Sequence, residues 1–241
     1  MERQKYLSII VLYFIAMSVF ASSYQEKVYQ AYVHNTMSQW KSAVDEMGKS
    51  TLTNNQTRLE LLNYQYGYIG WCIGQKKNEE AKRHLKLAEK HIEILEKKNY
   101  KTADLQAYTA AFYGYKIGLN PIKASYLGPK SMWHVKKALE KEPTNALAHL
   151  QYGNIYFYMP AVFGGSIQTA SEYYLKVEKH YDATPSLKEN NWNYINLLTI
   201  LANTYIALDN DAKAMEYYRK IIAFEPNCKW IQKEILSKIK K

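Results

Sequence analysis

Helix-breaking residues divide this chain into segments of helical length, and that punctuation constrains its fold more than any other feature. The breaks fall at Gly74, Asn120-Pro121, Pro143, Pro160, Pro185, Asp209-Asn210 and Pro226. Between them apolar residues recur at helical spacing, which predicts helices near 24–48, 58–74, 78–97, 102–118, 130–141, 145–158, 167–181, 189–208, 211–224 and 227–239. In the polar stretch 50–57, Ser50 and Thr53 offer caps to the second of these. With 10 Gly and 6 Pro in 241 residues, the chain lacks the tight turns of an all-β fold, while 47% apolar residues suffice to bury a core. The expectation is an all-α protein. Cys72 and Cys228 stand far apart with no metal-ligand spacing, and read as buried apolar fillers.

Residues 1–23 have a separate character. Arg3 and Lys5 precede an uncharged run from Tyr6 to Phe20, which ends in the small residues Ala21, Ser22 and Ser23. This is the pattern of a secretory signal peptide, with Val19-Phe20-Ala21 or Ala21-Ser22-Ser23 as the cleavage tripeptide. The apolar run of 15 residues is shorter than the roughly 20 that cross a bilayer, so cleavage is expected over retention as an anchor. The mature chain is then expected in the periplasm or outside the cell, with no stable membrane span. No Cys at the cleavage point offers a lipid anchor. Cleavage after Ala21 removes Arg3, Lys5 and Glu2, and the net charge falls from +10 to +9. In residues 75–98 the basic residues alternate with Glu, as on a solvated helix face, so nucleic acid is not an expected partner. The tail from Cys228 to Lys241 carries five Lys against Glu234 alone and reads as a solvated last helix.

The segments from residue 58 on pair off. In Ile195 to Pro226, Leu198, Leu201, Ala202 and Tyr205 are followed by Ala214, Tyr218, Ile221 and Pro226 at the offsets of the 34-residue tetratricopeptide repeat (TPR), which this unit closely resembles. Ala202 and Ala214 are small where two helices cross, Tyr205 and Tyr218 fill the space beside them, and Pro226 stops the unit. Earlier units are looser. Val135 and Ala138 precede Pro143, and Ser131 to Pro143 spans the same 12 residues as Ala214 to Pro226. Gly153 and Tyr156 precede Ala170, Tyr174 and Val177; Gly67 precedes Ala81, Leu85 and Ala88; Gly114 precedes Ser131. The resemblance implies an α-solenoid of about four helix pairs over 58–226. A leading helix and linker at 24–57 and a trailing helix at 227–241 would cap it.

Two turns exceed the repeat: Asn120 to Lys130 (NPIKASYLGPK) and Met159 to Ser166 (MPAVFGGS). Each follows a Tyr-Gly helix, opens near a Pro, carries apolar residues and ends in Gly-Pro or Gly-Gly. Long loops in compact domains are commonly functional, so Pro160, Phe163, Gly164 and Gly165 are candidate site residues. The stretch from Leu150 to Val177 also resembles the T component of TRAP-type transporter systems, a periplasmic tetratricopeptide protein that associates with a solute-binding subunit. That resemblance implies an alternative role as a solute-binding or docking accessory, with a possible small-molecule ligand.

Enzyme signatures are absent: no HExxH, GxSxG, phosphate-binding loop or GxGxxG after a strand. No catalytic residue, metal or cofactor is expected. His84 and His91 share a helix face without a carboxylate at ligand spacing and read as exposed. Gly67, Gly70 and Gly74 lie along one helix, where small residues permit close packing. The resemblance to tetratricopeptide repeats implies binding in a concave groove lined by the first helix of each pair. Carried onto this chain, those positions are Leu61, Tyr64, Tyr68 and Trp71; Tyr108, Ala111 and Tyr115; Leu147, Leu150, Asn154, Phe157 and Tyr158; and Asn196, Thr199 and Asn203. Asn154 and Asn203 fall where such proteins hold a peptide backbone, and the basic residues of a carboxylate clamp are missing. Tyr and Trp offer large contact areas to a peptide, a sugar or an apolar ligand; equally, they serve to pack helices together. The expected function is a non-catalytic, exported interaction module whose partner is another protein or peptide of the cell envelope.

Overall fold

Helix follows helix throughout the computed structural model, which describes residues 24–50, 54–231 and 233–234; no strand occurs among them. The helices are α1 (24–33), α2 (Met37–Lys49), α3 (Asn55–Gly74), α4 (Asn78–Glu96), α5 (Thr102–Leu119), α6 (Ala124–Lys141), α7 (Ala146–Tyr158), α8 (Ile167–Ala183), α9 (Trp192–Ala207) and α10 (Asp211–Phe224). Helical residues resume at 229–231. The proposed signal segment lies outside the described residues. α3 packs with α4, α5 with α6, α7 with α8 and α9 with α10, giving the four expected pairs.

Five of these helices, α3 and α7 to α10, start on an Asn or Ser side chain that accepts a backbone N–H of the first turn, satisfying one of its orphan donors. Asn145 accepts from Ala148 N (2.8 Å), Ser166 from Thr169 N (3.1 Å) and Asn210 from Lys213 N (3.1 Å). The cap of α3 is Asn54, which accepts from Gln56 N (2.7 Å), whereas Ser50 ends α2 with its hydroxyl on Met47 O. Inside the pairs the small residues serve close packing. Ala202, Ala214, Leu198, Leu201 and Ile221 are buried together. At Gly153 a methyl group would stand 2.4 Å from Tyr174 Cε1, so only glycine admits the ring.

Three expectations change. The leading segment is two helices, because Asn35 takes a left-handed conformation (φ 54°) and turns the chain without Gly or Pro. The segment 120–130 is no open loop: after a 3-10 turn at Pro121–Lys123, α6 begins at Ala124 and carries Pro129 inside it. In the first pair Gly67 does not mate with Ala81. It faces Trp40 and Trp192, whose rings would lie 2.6–2.9 Å from an added Cβ. Tyr68 faces α4 instead, donating to Glu80 Oε1 (3.0 Å) and lying edge-on to His84.

α3, α5 and α7 run parallel and in register. Asn63 Nδ2 donates to Tyr108 OH (3.0 Å), Tyr115 OH donates to Tyr66 O (3.0 Å), and Asn145 Nδ2 donates to Asp104 Oδ1 (2.6 Å). The turns that follow α3, α5 and α7 therefore share one edge of the molecule. α1 then joins its two ends. Tyr32 meets Trp40, Trp192 and Trp230 with ring centroids 5.6–5.9 Å apart. Trp230 Nε1 donates to Tyr32 O (3.0 Å), and Tyr29 OH donates to Glu225 Oε2 (2.8 Å).

Candidate interaction surface

The inward positions of the first helices form a polar-aromatic core. Trp192 Nε1 donates to Asn63 Oδ1 (2.9 Å), Gln151 Nε2 donates to Tyr66 OH (3.0 Å), and Tyr66 lies 5.5–6.3 Å from the rings of Tyr108, Tyr115 and Trp192. A buried amide must find partners, and here amides and phenols satisfy one another across α3, α5, α7 and α9. Burial holds the phenols of Tyr64, Tyr66, Tyr108, Tyr115 and Tyr174 above their ordinary pKa of 10, so they stay neutral near pH 7.

That core answers the lining-or-packing question for part of the expected groove. Tyr64, Tyr68, Tyr108 and Leu150 are buried between helices and present no surface. Leu61 and Ala111 are buried with them, and Thr199 donates to Ile195 O. Tyr115 is half-buried, its hydroxyl 2.8 Å from where a Cβ on Gly70 would sit, which is why that position is glycine. Asn196 accepts from Tyr32 OH (3.3 Å), so α1 occupies it. Asn154 and Asn203 play one part in successive pairs: Asn154 accepts from Tyr174 OH (2.9 Å) and Asn203 from Tyr218 OH (3.2 Å). Those partners lie 20 and 15 positions apart, and the difference measures the inserted turn of the third pair. The amide nitrogen of Asn154 donates to Gln151 Oε1 (3.0 Å).

Three expected groove rings still reach solvent. Trp71 is half-buried, stacked on Tyr68 with Lys77 Nζ 4.7 Å above it. Phe157 is half-buried at the end of α7 and meets Tyr158 edge-on at 5.0 Å. Tyr158 is 79% exposed as a residue, while burial raises its phenol above the ordinary 10 and its charge, if formed, would oppose ionisation of Tyr66, Tyr115 and Tyr174.

The candidate loop is a rigid tip. Pro160 O accepts from Phe163 N (2.9 Å) and Gly165 N (3.2 Å), and Tyr156 O accepts from Ser166 N (3.0 Å). Gly164 has φ 95°, and a Cβ on Gly165 would fall 1.7 Å from Met159 O. Both glycines therefore shape the turn. Its apolar residues point outward: Val162 is 83% and Phe163 73% exposed. On the α5–α6 turn Ile122 is 86% exposed, while Leu127, another apolar residue of the 120–130 stretch, is buried.

The histidines are not the exposed pair expected. His84 is fully buried beside Tyr68, and His91 is half-buried with Nδ1 3.0 Å from Arg58 Nη1. Burial and Arg58 push His91 down to about 4. Cys72 and Cys228 are buried free thiols that burial pushes up to about 11 and about 12, far from reactive thiolates. Among the described residues no three His, Cys, Asp or Glu side chains gather as a metal site, and no helix is long and apolar enough to cross a membrane. What this surface offers chemically is ring faces, amides and lysines.

This arrangement of helix pairs is similar to the crystal structure of TTC0263, a thermophilic TPR protein in Thermus thermophilus. The likeness has a TM-score of 0.56 at 14% identity and covers 90% of this chain and 100% of that one. The fold is thus a TPR-like all-α solenoid. No protein-family model matches the chain, and no curated protein matches it in sequence.

Proposed function

We propose that this chain is a non-catalytic interaction module of the bacterial cell envelope, exported by its N-terminal segment, which binds a segment of another protein beside the end of α7. A TPR-like fold supports the protein-binding reading. The observation that carries the site is Tyr158, a ring left 79% exposed beside the phenols of Tyr66, Tyr115 and Tyr174. Half-buried Phe157 and Asn154 adjoin it and extend the surface with a ring and an amide. Interfaces concentrate their energy in such aromatic anchors, and a Tyr there is commonly worth about 2 kcal/mol or more of about 10 in total. Tyr68 and Tyr115, offered by the sequence for the same role, belong instead to the framework beneath it. A solute-handling role calls for a closed pocket beside Phe163, and a ring 73% exposed closes none, which favours the protein partner.

The test is capture of envelope proteins by the purified protein and by Tyr158→Ala, with circular dichroism to show equal helicity. Loss of a specific partner in the variant supports the site, and equal capture by both proteins sinks it.

A further inference from the structure

We propose a second contact surface: the edge carrying the α5–α6 and α7–α8 turns docks on an anionic lipid surface. Because α5 and α7 run parallel, their C-terminal ends emerge on the same side, and packed neighbouring helices lie about 10 Å apart. The tips of the two turns therefore stand side by side. They hold Ile122 (86% exposed), Tyr126 (52%), Val162 (83%) and Phe163 (73%), a group of large apolar side chains that soluble monomers rarely leave together in water.

Charge selects the occupant. Residues 105–139 and 143–171 contain no Asp or Glu, so neither turn nor the end of the helix that enters it carries a carboxylate. On the same edge Glu79 and Glu80 at the start of α4 pair with Lys82 and Arg83. Lys123 directly follows Ile122, and exposed Lys130 lies one turn beyond Tyr126 on α6. Apolar tips thus extend beyond a basic rim. A bilayer of anionic lipids presents the complementary order, negative headgroups over an apolar interior. The tips are also convex and fixed: both turns are 3-10 helical, and the Met159–Gly165 backbone admits no side chain at Gly165. Rigid apolar projections suit shallow insertion between headgroups, where no matching hollow is needed. This surface goes beyond the protein-binding site at Tyr158 and can fail or hold independently of it.

Both native cysteines are buried, so a single added cysteine can be labelled selectively. We would place an environment-sensitive dye on the full-length protein at Val162→Cys. A second label at Ser186→Cys marks the opposite edge, where Gln25 of α1 also meets the carbonyls of Glu189 and Asn190. The probe is vesicles of phosphatidylcholine with about one third phosphatidylglycerol. The expected result is a blue shift at position 162, absent at 186, weaker on pure phosphatidylcholine and reduced by salt. Lys123→Ser and Lys130→Ser should each lower the vesicle affinity about fivefold, and Phe163→Ser should lower it further. No shift at 162, or equal shifts at both labels, would overturn the proposal. So would a shift at 162 that needs an envelope protein or self-association of the chain rather than lipid.

Discussion

Gly153 and Gly114 sit in the middle of first helices with opposite consequences. A methyl group at 153 would press into the buried Tyr174 ring at 2.4 Å, whereas one at 114 meets nothing within 4 Å. Gly153→Ala should therefore destabilise the protein by about 1–3 kcal/mol through overpacking, while Gly114→Ala should stabilise it by up to about 1 kcal/mol through helix propensity. Urea unfolding of the two variants checks both signs. His91 sets a pH dependence. Its folded-state pKa of about 4 lies below its ordinary 6.5, so between those values the unfolded chain binds the extra proton. Stability should fall as the pH drops from about 6.5 toward 4, and this contribution should be fully present above 6.5. Thermal unfolding between pH 7 and pH 5, above the usual carboxylate range, should show a shallower slope in His91→Gln. Residue identity alone did not reveal this histidine's burial, because Arg58, its partner, comes from a different helix.

At the scale of the element, the helices with a Pro or Asn boundary were legible because caps and breakers act locally. α10 falls at 211–224 as read, and α7 and α8 begin within one residue of the reading. The leading segment was misread as one helix because Asn35 turns the chain at φ 54°, a conformation that glycine would have advertised and this residue conceals. The first half of α6 looked like a loop because Gly128 and Pro129 lie in it. Yet Leu127 is buried, and tertiary packing holds the segment helical against its propensity. The α7–α8 turn is the opposite case, since its Gly-Gly signal is required by geometry. Gly165→Ala should distort the turn, cost about 1–3 kcal/mol and weaken contacts made by Phe163, with little loss of overall helicity. Denaturation together with circular dichroism would show it.

For the whole molecule, the decisive feature is that the inward faces meet their own chain. The sequence supplied the aromatic and amide residues but not their mates, because Asn63 and Trp192 are 129 positions apart and no local pattern links them. A register read from the last pair and carried to the first also misplaced Gly67, which serves Trp40 and Trp192 rather than α4. Trp192→Ala should cost about 3–5 kcal/mol, since the side chain is buried between α1, α2 and α3 and its removal opens a cavity where those helices meet α9. Loss of the hydrogen bond to Asn63 adds to that, and the unfolding midpoint in urea should move accordingly.

The framework keeps most of its rings for itself and offers a partner the end of α7. The most direct test of that division is capture from an envelope extract at moderate salt with the wild-type protein and Tyr158→Ala in parallel, the salt suppressing non-specific retention by a basic protein. The predicted result is a discrete protein partner that the wild type retains and the equally helical variant loses. Capture of the same proteins by both, or of none by either, would contradict it.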